Sequence, residues 1–205
     1  MTIISIHQND LHYPQSLKKY LTDKTPAVIT AIGNLNILQN KILALFCSVK
    51  CPGNIILKTY DLMKKLRESG TTVISGFHSP IEQECGNILL KGKQSVIFCP
   101  ARNINNMRIK REYKKPIEEG KMLILSPFAE NQSRITKETS SMRNYFAAAI
   151  ANSIFIPYAE PNSRTEKFCH ELLPWDKPLY TLDTDTTKNL IVIGIKHIDS
   201  YILNI

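Results

Sequence analysis

The stretch from Ser75 to Pro80 (SGFHSP) carries the clearest chemical potential in this chain. A serine–glycine pair that closes an apolar run, followed by a proline at a helix start, turns backbone N–H groups towards whatever lies above that point. Such N–H groups attract phosphate. Gly76 would allow a phosphate to approach, Ser75 and Ser79 offer hydroxyls, and His78 sits in the same loop. The bland alternative is a strand–helix turn that uses glycine for geometry alone. A second candidate is Arg143-Asn144, which follows the polar segment Ser126–Ser141 and opens an alanine-rich run, YFAAAIA. An arginine at a helix start opposes the macrodipole. It is better placed there if it reaches an anion, or if it pairs with a carboxylate such as Glu138.

Other chemistries find little support. There is no G-x-x-x-x-G-K-[ST], no G-x-G-x-x-G and no G-x-S-x-G. The five histidines and five cysteines form no ligand pattern at zinc spacing, so no metal and no cofactor is expected. Glu82 and Glu84 suit the first turn of a helix, where acids complement the dipole. No nucleophile–base pair is defensible, which favours a binding protein over an enzyme.

The chain has 205 residues and a formal charge of +8. Between Lys91 and Lys121 nine cations face three acids, so most of the net charge lies there. A basic balance favours polyanionic partners, although a solvated surface also accounts for it. No apolar run approaches the roughly 20 residues that span a bilayer, and Met1–Pro14 lacks the basic-then-apolar order of a secretion signal. A reduced, cytoplasmic protein is the expectation.

Short apolar runs alternate with longer amphipathic stretches. Strands are expected at Ile42–Cys47, Thr72–Ser75, Ser95–Cys99, Met122–Leu125, Ser153–Tyr158 and Pro178–Leu182. Helices are expected over Asn54–Ser69, from Pro80 towards Lys91, ending near Gly120, from a Ser140 or Ser141 cap through Ala151, and over Ser163–Leu173. Runs apolar throughout are buried on both faces, and helices between them make the crossovers. The fold class is therefore α/β: a Rossmann-like, doubly wound, mostly parallel sheet with helices on both faces. Residues 41–205 form that domain, and residues 1–40 a short helical extension packed on it. Leu190–Ile205 is expected to add an edge strand. Ligands of such sheets bind at the carboxyl ends of strands near the switch in strand order, which directs attention to loops 47–54, 75–80, 99–108, 126–143 and 157–164.

The order of motifs resembles the DNA-processing protein A (DprA/Smf) family over roughly residues 11–198. Tyr13-Pro14-x-x-Leu17, Pro26 and Ile32-Gly33-Asn34 resemble its opening segment. Thr72-Val73-Ile74-Ser75-Gly76 resembles the start of its S-G-x-A-x-G-I-D-x-x-A-H loop, and Leu125-Ser126-Pro127-Phe128 its l-S-E-x-P. Met142–Ala147 resembles R-N-R-I-I-A, Ile154–Glu160 its following strand, and Lys177–Tyr180 and Asn189–Gly194 its closing motifs. The resemblance implies single-stranded DNA or nucleotide binding through phosphate-cradling loops, transfer of the strand to a recombinase in DNA uptake, and a homodimer. Carried over by position, Ser75, Gly76, Arg143 and Asn144 are the anion-binding candidates. His78 and Ser79 lie in the same loop, and Lys50 stands near the arginine of the family's G-S-R turn. Departures are plain: that turn's glycine falls at Cys47, the second loop glycine at Pro80, its aspartate at Glu82 and its histidine at Gly86. Two other readings stay open. One is a nucleotide-cleaving enzyme resembling the phosphoribohydrolases, whose P-G-G-x-G-T-x-x-E is absent. The other is a scaffold on the same fold that has lost its ligand.

Overall fold

A computed structural model describes residues 1–198. The elements run β1 (Ile4–His7), α1 (Ser16–Leu21), β2 (Val28–Gly33), β3 (Ile42–Leu45), α2 (Gly53–Ser69), β4 (Thr72–Ser75), α3 (Pro80–Leu89), β5 (Val96–Phe98), α4 (Arg111–Glu118) and β6 (Met122–Ser126). They continue with α5 (Lys137–Ile150), β7 (Ser153–Phe155), α6 (Arg164–Leu172), β8 (Leu179–Thr181), α7 (Lys188–Val192) and β9 (Lys196–His197). The expected α/β class is what forms: one sheet in the order β1-β2-β6-β5-β4-β3-β7-β8-β9. From β6 to β9 all neighbours are parallel, while β1 and β2 pair antiparallel.

The chain walks outward from β3 through β4 and β5 to β6, then returns through α5 to lay β7 on the other side of β3. Register across this switch runs Leu43↔Val73 on one side and Leu43↔Ser153 on the other. A right-handed crossover that reverses direction must place its helix on the opposite face, and the core divides accordingly. Leu43, Leu45, Val73 and Val96 point towards α2 and α3, packing on Ile55, Met63, Leu66, Ile81 and Leu89. Alternate residues of the same strands, Ile42, Ala44, Ile74 and Ile97, point towards α5 and α6. The buried run Phe146–Ala149 lets α5 lie close over β3 and β4. Truncating the fully buried Phe146 to alanine would cost about 3–5 kcal/mol.

The N-terminal segment differs from the helical preface expected. It contributes β1 and β2, which extend the sheet beyond β6, with one short α-helix, α1, packed on α5, and two 3-10 turns at Thr22–Lys24 and Leu35–Gln39. In β2, Ile29 and Ala31 are buried on one face with Ile6, and Ile32 is buried on the other with Ile117 and Ile124. Gly33 ends β2 at φ +116°, where an added Cβ would stand 2.3 Å from the Met122 carbonyl oxygen. Only glycine passes β6 so closely. At the other end, β9 is the edge strand expected within Leu190–Ile205, preceded there by α7, and residues 199–205 lie outside the described residues. No helix of the described residues is long and apolar enough to cross a membrane.

Candidate functional site

The switch point lies between β3 and β7, and the loops leaving β3, β4, β6 and β7 converge above it. Between them is an open cleft of about 570 Å³. Phe46, Cys47 and Val49 line it from the loop after β3, His78 and Ser79 from the loop after β4, and Arg164, Thr165 and Phe168 from α6. Glu82, from the first turn of α3, and residues between Ile135 and Asn144, at the start of α5, supply the remaining wall.

Arg143 does not stand at a helix start, as expected. Thr136 caps α5, its hydroxyl accepting from the Thr139 N–H, so helix begins at Lys137 and Arg143 lies nearly two turns in. From there its side chain runs beneath the cleft and is 5% exposed. Nε donates to Asn144 Oδ1 at 2.8 Å and Nη1 to the Cys99 carbonyl at 3.1 Å. No carboxylate lies within ion-pair distance of it among the described residues. Glu138, the carboxylate offered as one alternative partner, is not paired with it: its carboxyl sits below the usual range, chiefly through Thr136, with Lys137 and Arg164 adding charge. Burial lowers the Arg143 pKa, and the charge of Glu82 works in the opposite direction.

The Ser75–Pro80 loop meets this guanidinium at Gly76, but the N–H groups of Phe77, His78 and Ser79 already have acceptors within the protein. Ser75 is wholly buried and its hydroxyl accepts from the Phe77 N–H at 3.1 Å. Phe77 adopts φ +41°, a conformation that costs a non-glycine residue about 1–3 kcal/mol, and its buried ring packs on Gly86. Ser79 caps α3, with Pro80 as the first helical residue. The side chain of Glu82 then folds back over the loop. Its Oε2 accepts from the N–H groups of His78 at 2.9 Å and Ser79 at 3.4 Å, and its Oε1 from the N–H of Cys47 at 3.0 Å. Glu82 thus ties the loops after β3 and β4 together, a role the first-turn reading of this residue missed.

His78, Ser79, Arg143 and Asn144 line the cleft, whereas Lys50 does not, though its neighbour Val49 does. Ser75 and Gly76 are not in the lining, but Gly76 lies against the Arg143 guanidinium. Two cations that were not singled out, Lys137 and Arg164, stand at the mouth as first residues of α5 and α6. Cations are unfavourable at the positive end of a helix dipole, so an external anion is their natural complement. Cys47 also reaches the cleft, but its thiol is pushed far up by its hydrogen bond with Cys51 and by burial, and it is no nucleophile. Among the described residues no group of three or more His, Cys, Asp or Glu side chains could hold a metal ion.

The cleft opens at Lys137, Ser141 and Arg164 into a second, larger groove of about 910 Å³ between α1, α5 and α6. Its wall is aromatic: Tyr20 stacks on Trp175 at 4.9 Å, and Tyr145 leans on Trp175 at 6.2 Å while its hydroxyl donates to Glu171. The basic stretch 91–121, in contrast, is split by the topology. Arg102, Arg108 and Lys110 follow β5 on the cleft side, whereas Lys91, Lys93 and Lys121 precede strands at the opposite edge of the sheet.

Against known proteins, the family model for DNA recombination-mediator protein A matches residues 4–190. The chain belongs to this family. The expected resemblance and fold are therefore both borne out. DNA processing protein A from Streptococcus pneumoniae superposes with a TM-score of 0.79 at 17% identity, covering 99% of this chain and 73% of its own. The Helicobacter pylori protein, described by its single-stranded DNA binding mode, gives 0.79 at 16%, covering 100% and 95%. A molybdenum cofactor carrier protein from Chlamydomonas reinhardtii shares the fold more loosely, with a TM-score of 0.52 at 14% identity over 78% of this chain and 90% of that one. A search of curated proteins finds no match. A DNA-processing role follows from family membership.

Proposed function

We propose that the switch-point cleft binds the phosphates of single-stranded DNA, or of a nucleotide, without catalysing a reaction. The supporting observation is Arg143: a guanidinium 5% exposed, at the base of the cleft, with no carboxylate within ion-pair distance among the described residues. A buried charge without a counter-charge is costly, and an incoming phosphate would supply one. Lys137 and Arg164 would meet further phosphates at the mouth, and Ser79, Asn144 and His78 would add polar contacts. The adjoining groove offers flat aromatic faces on which bases can stack. Lys50, outside the lining, would act only by long-range attraction. In the family's role the bound strand passes to a recombinase, with a homodimer and the cytoplasm as its setting. The Helicobacter pylori relative's described single-stranded DNA binding is consistent with this reading.

The hold of Glu82 on the loop's N–H groups favours a second reading, a scaffold without a ligand. Titration of a fluorescein-labelled oligothymidylate, read by anisotropy, decides between them. Saturable binding that weakens steeply with salt and falls in Arg143→Met supports the cleft. Absence of binding at low salt, or undiminished affinity in Arg143→Met, defeats it.

A further inference from the structure

Glu82 does more than a capping box requires. That motif needs only a carboxylate on the N–H of the cap residue, here Ser79. The same side chain also accepts from His78 and from Cys47, a residue of a different loop 35 positions away. Three N–H groups from two loops converge on two carboxylate oxygens beside the α3 N-terminus. Convergent main-chain N–H groups at a helix start are the arrangement that receives phosphate oxygens. Independently, the buried guanidinium of Arg143 lies near enough for Glu82 to influence its charge, yet outside ion-pair distance.

We infer that Glu82 is the resident occupant of an anion seat and sets the cleft's affinity for external phosphate. The inference rests on reading the cleft as a phosphate site. While the carboxylate is in place, an incoming phosphate meets its negative charge and finds the seat's N–H donors engaged, so contacts are confined to the mouth cations and the edge of Arg143. Removing the carboxylate uncovers three donors and leaves Arg143 without the charge it faces, and a small anion then fills the space.

The test compares the full-length wild type with Glu82→Ala in chloride and in inorganic phosphate at matched ionic strength, by thermal unfolding. Glu82→Ala should melt lower in chloride and recover in phosphate. At phosphate ten times its Kd the folding equilibrium shifts about elevenfold, whereas the wild type shows only the smaller gain that phosphate gives through general salt effects and the mouth cations. A variant that responds to phosphate no more than the wild type overturns the proposal. Should Glu82→Ala fail to fold, Glu82→Gln keeps the size and one acceptor while losing the charge. It should show the same phosphate-specific rise, and its absence is equally decisive. The oligothymidylate titration is a separate readout. Strand binding by the wild type with no phosphate response in the variants defeats the seat alone, and the converse defeats the strand reading alone.

Discussion

The α-carbon of Gly76 lies directly against the guanidinium of Arg143. A Cβ placed on Gly76 would stand 1.1 Å from Nη1 and 1.9 Å from Cζ. Glycine at this position therefore makes room for an arginine belonging to the same chain. The sequence pattern suggested that it makes room for a ligand. The two halves of the candidate site, far apart in sequence, are held together by this contact and by the Nη1 bond to the Cys99 carbonyl.

Gly76→Ala tests that contact. The backbone there does not lie in the left-handed region, so the penalty is steric and falls on Arg143. Overpacking of this kind costs about 1–3 kcal/mol, measured by urea unfolding. The double variant with Arg143→Ala should recover much of the loss, with a coupling of about 0.5–3 kcal/mol. Additive effects would mean that the Gly76→Ala penalty does not act through Arg143.

Lys137 and Arg164 are expected to meet phosphates at the mouth. For single strands each contact contributes about 0.7 to the slope of log affinity against log salt. Lys137→Ala and Arg164→Ala should each lower the slope by about that amount and weaken binding of every sequence alike. A lower affinity with an unchanged slope would place the residues outside phosphate contact.

How far these relationships were legible depends on their range. β4 is Thr72–Ser75 as read, because an apolar run that turns at Ser75-Gly76 leaves little choice of boundary. The start of α5 was misplaced because its capping box uses Thr139 at the third position, where a glutamate or glutamine is the visible sign. β1 and β2 escaped because Ser5, His7 and Thr30 interrupt them, so they lack the continuous apolar signature of the central strands. The reach of Glu82 to Cys47 exists only once β3 and β4 lie side by side, and no spacing rule anticipates it.

The division of the basic stretch yields a topological prediction. Lys91 and Lys93 sit in the turn entering β5, at the edge away from the cleft, while Arg108 and Lys110 lie between β5 and α4 on the cleft side. Exposed charges beyond a Debye length of about 10 Å are largely screened at 0.1 M salt. Lys91→Ala/Lys93→Ala should leave oligonucleotide affinity nearly unchanged, and Arg108→Ala/Lys110→Ala should reduce it. Equal losses would show that the strand tracks around the molecule.

Trp175 is the chain's single tryptophan and lines the aromatic groove that continues the cleft. Its emission therefore reports that groove alone. Bases stacked there should quench it in step with the anisotropy change, and Trp175→Ala should weaken a twelve-nucleotide strand more than a three-nucleotide one, by about 1–3 kcal/mol per lost stack. Binding with unchanged emission would confine the strand to the cleft.

Lys177 offers a test of stability against pH. Its Nζ donates to the carbonyls of Ala148, Ala149 and Ala151, closing the end of α5, and sits 4.1 Å from the centre of the Tyr20 ring. Burial, and then the nearby Lys19, draw its pKa from 10.5 down to about 7, against three acceptors that favour the proton. Between pH 7 and 10.5 the unfolded chain then holds this proton more tightly than the folded one. The contribution of Lys177 to stability must rise with pH across that window and stay level below it. Lys177→Met strands the three carbonyls at about 1–3 kcal/mol for each left unpaired and removes the titration. The unfolding free energy of the wild type relative to Lys177→Met should therefore increase from pH 7 to 9, because groups common to both proteins cancel. A flat difference would mean that the carbonyls keep the ammonium charged throughout that window, with its pKa no lower than in the unfolded chain.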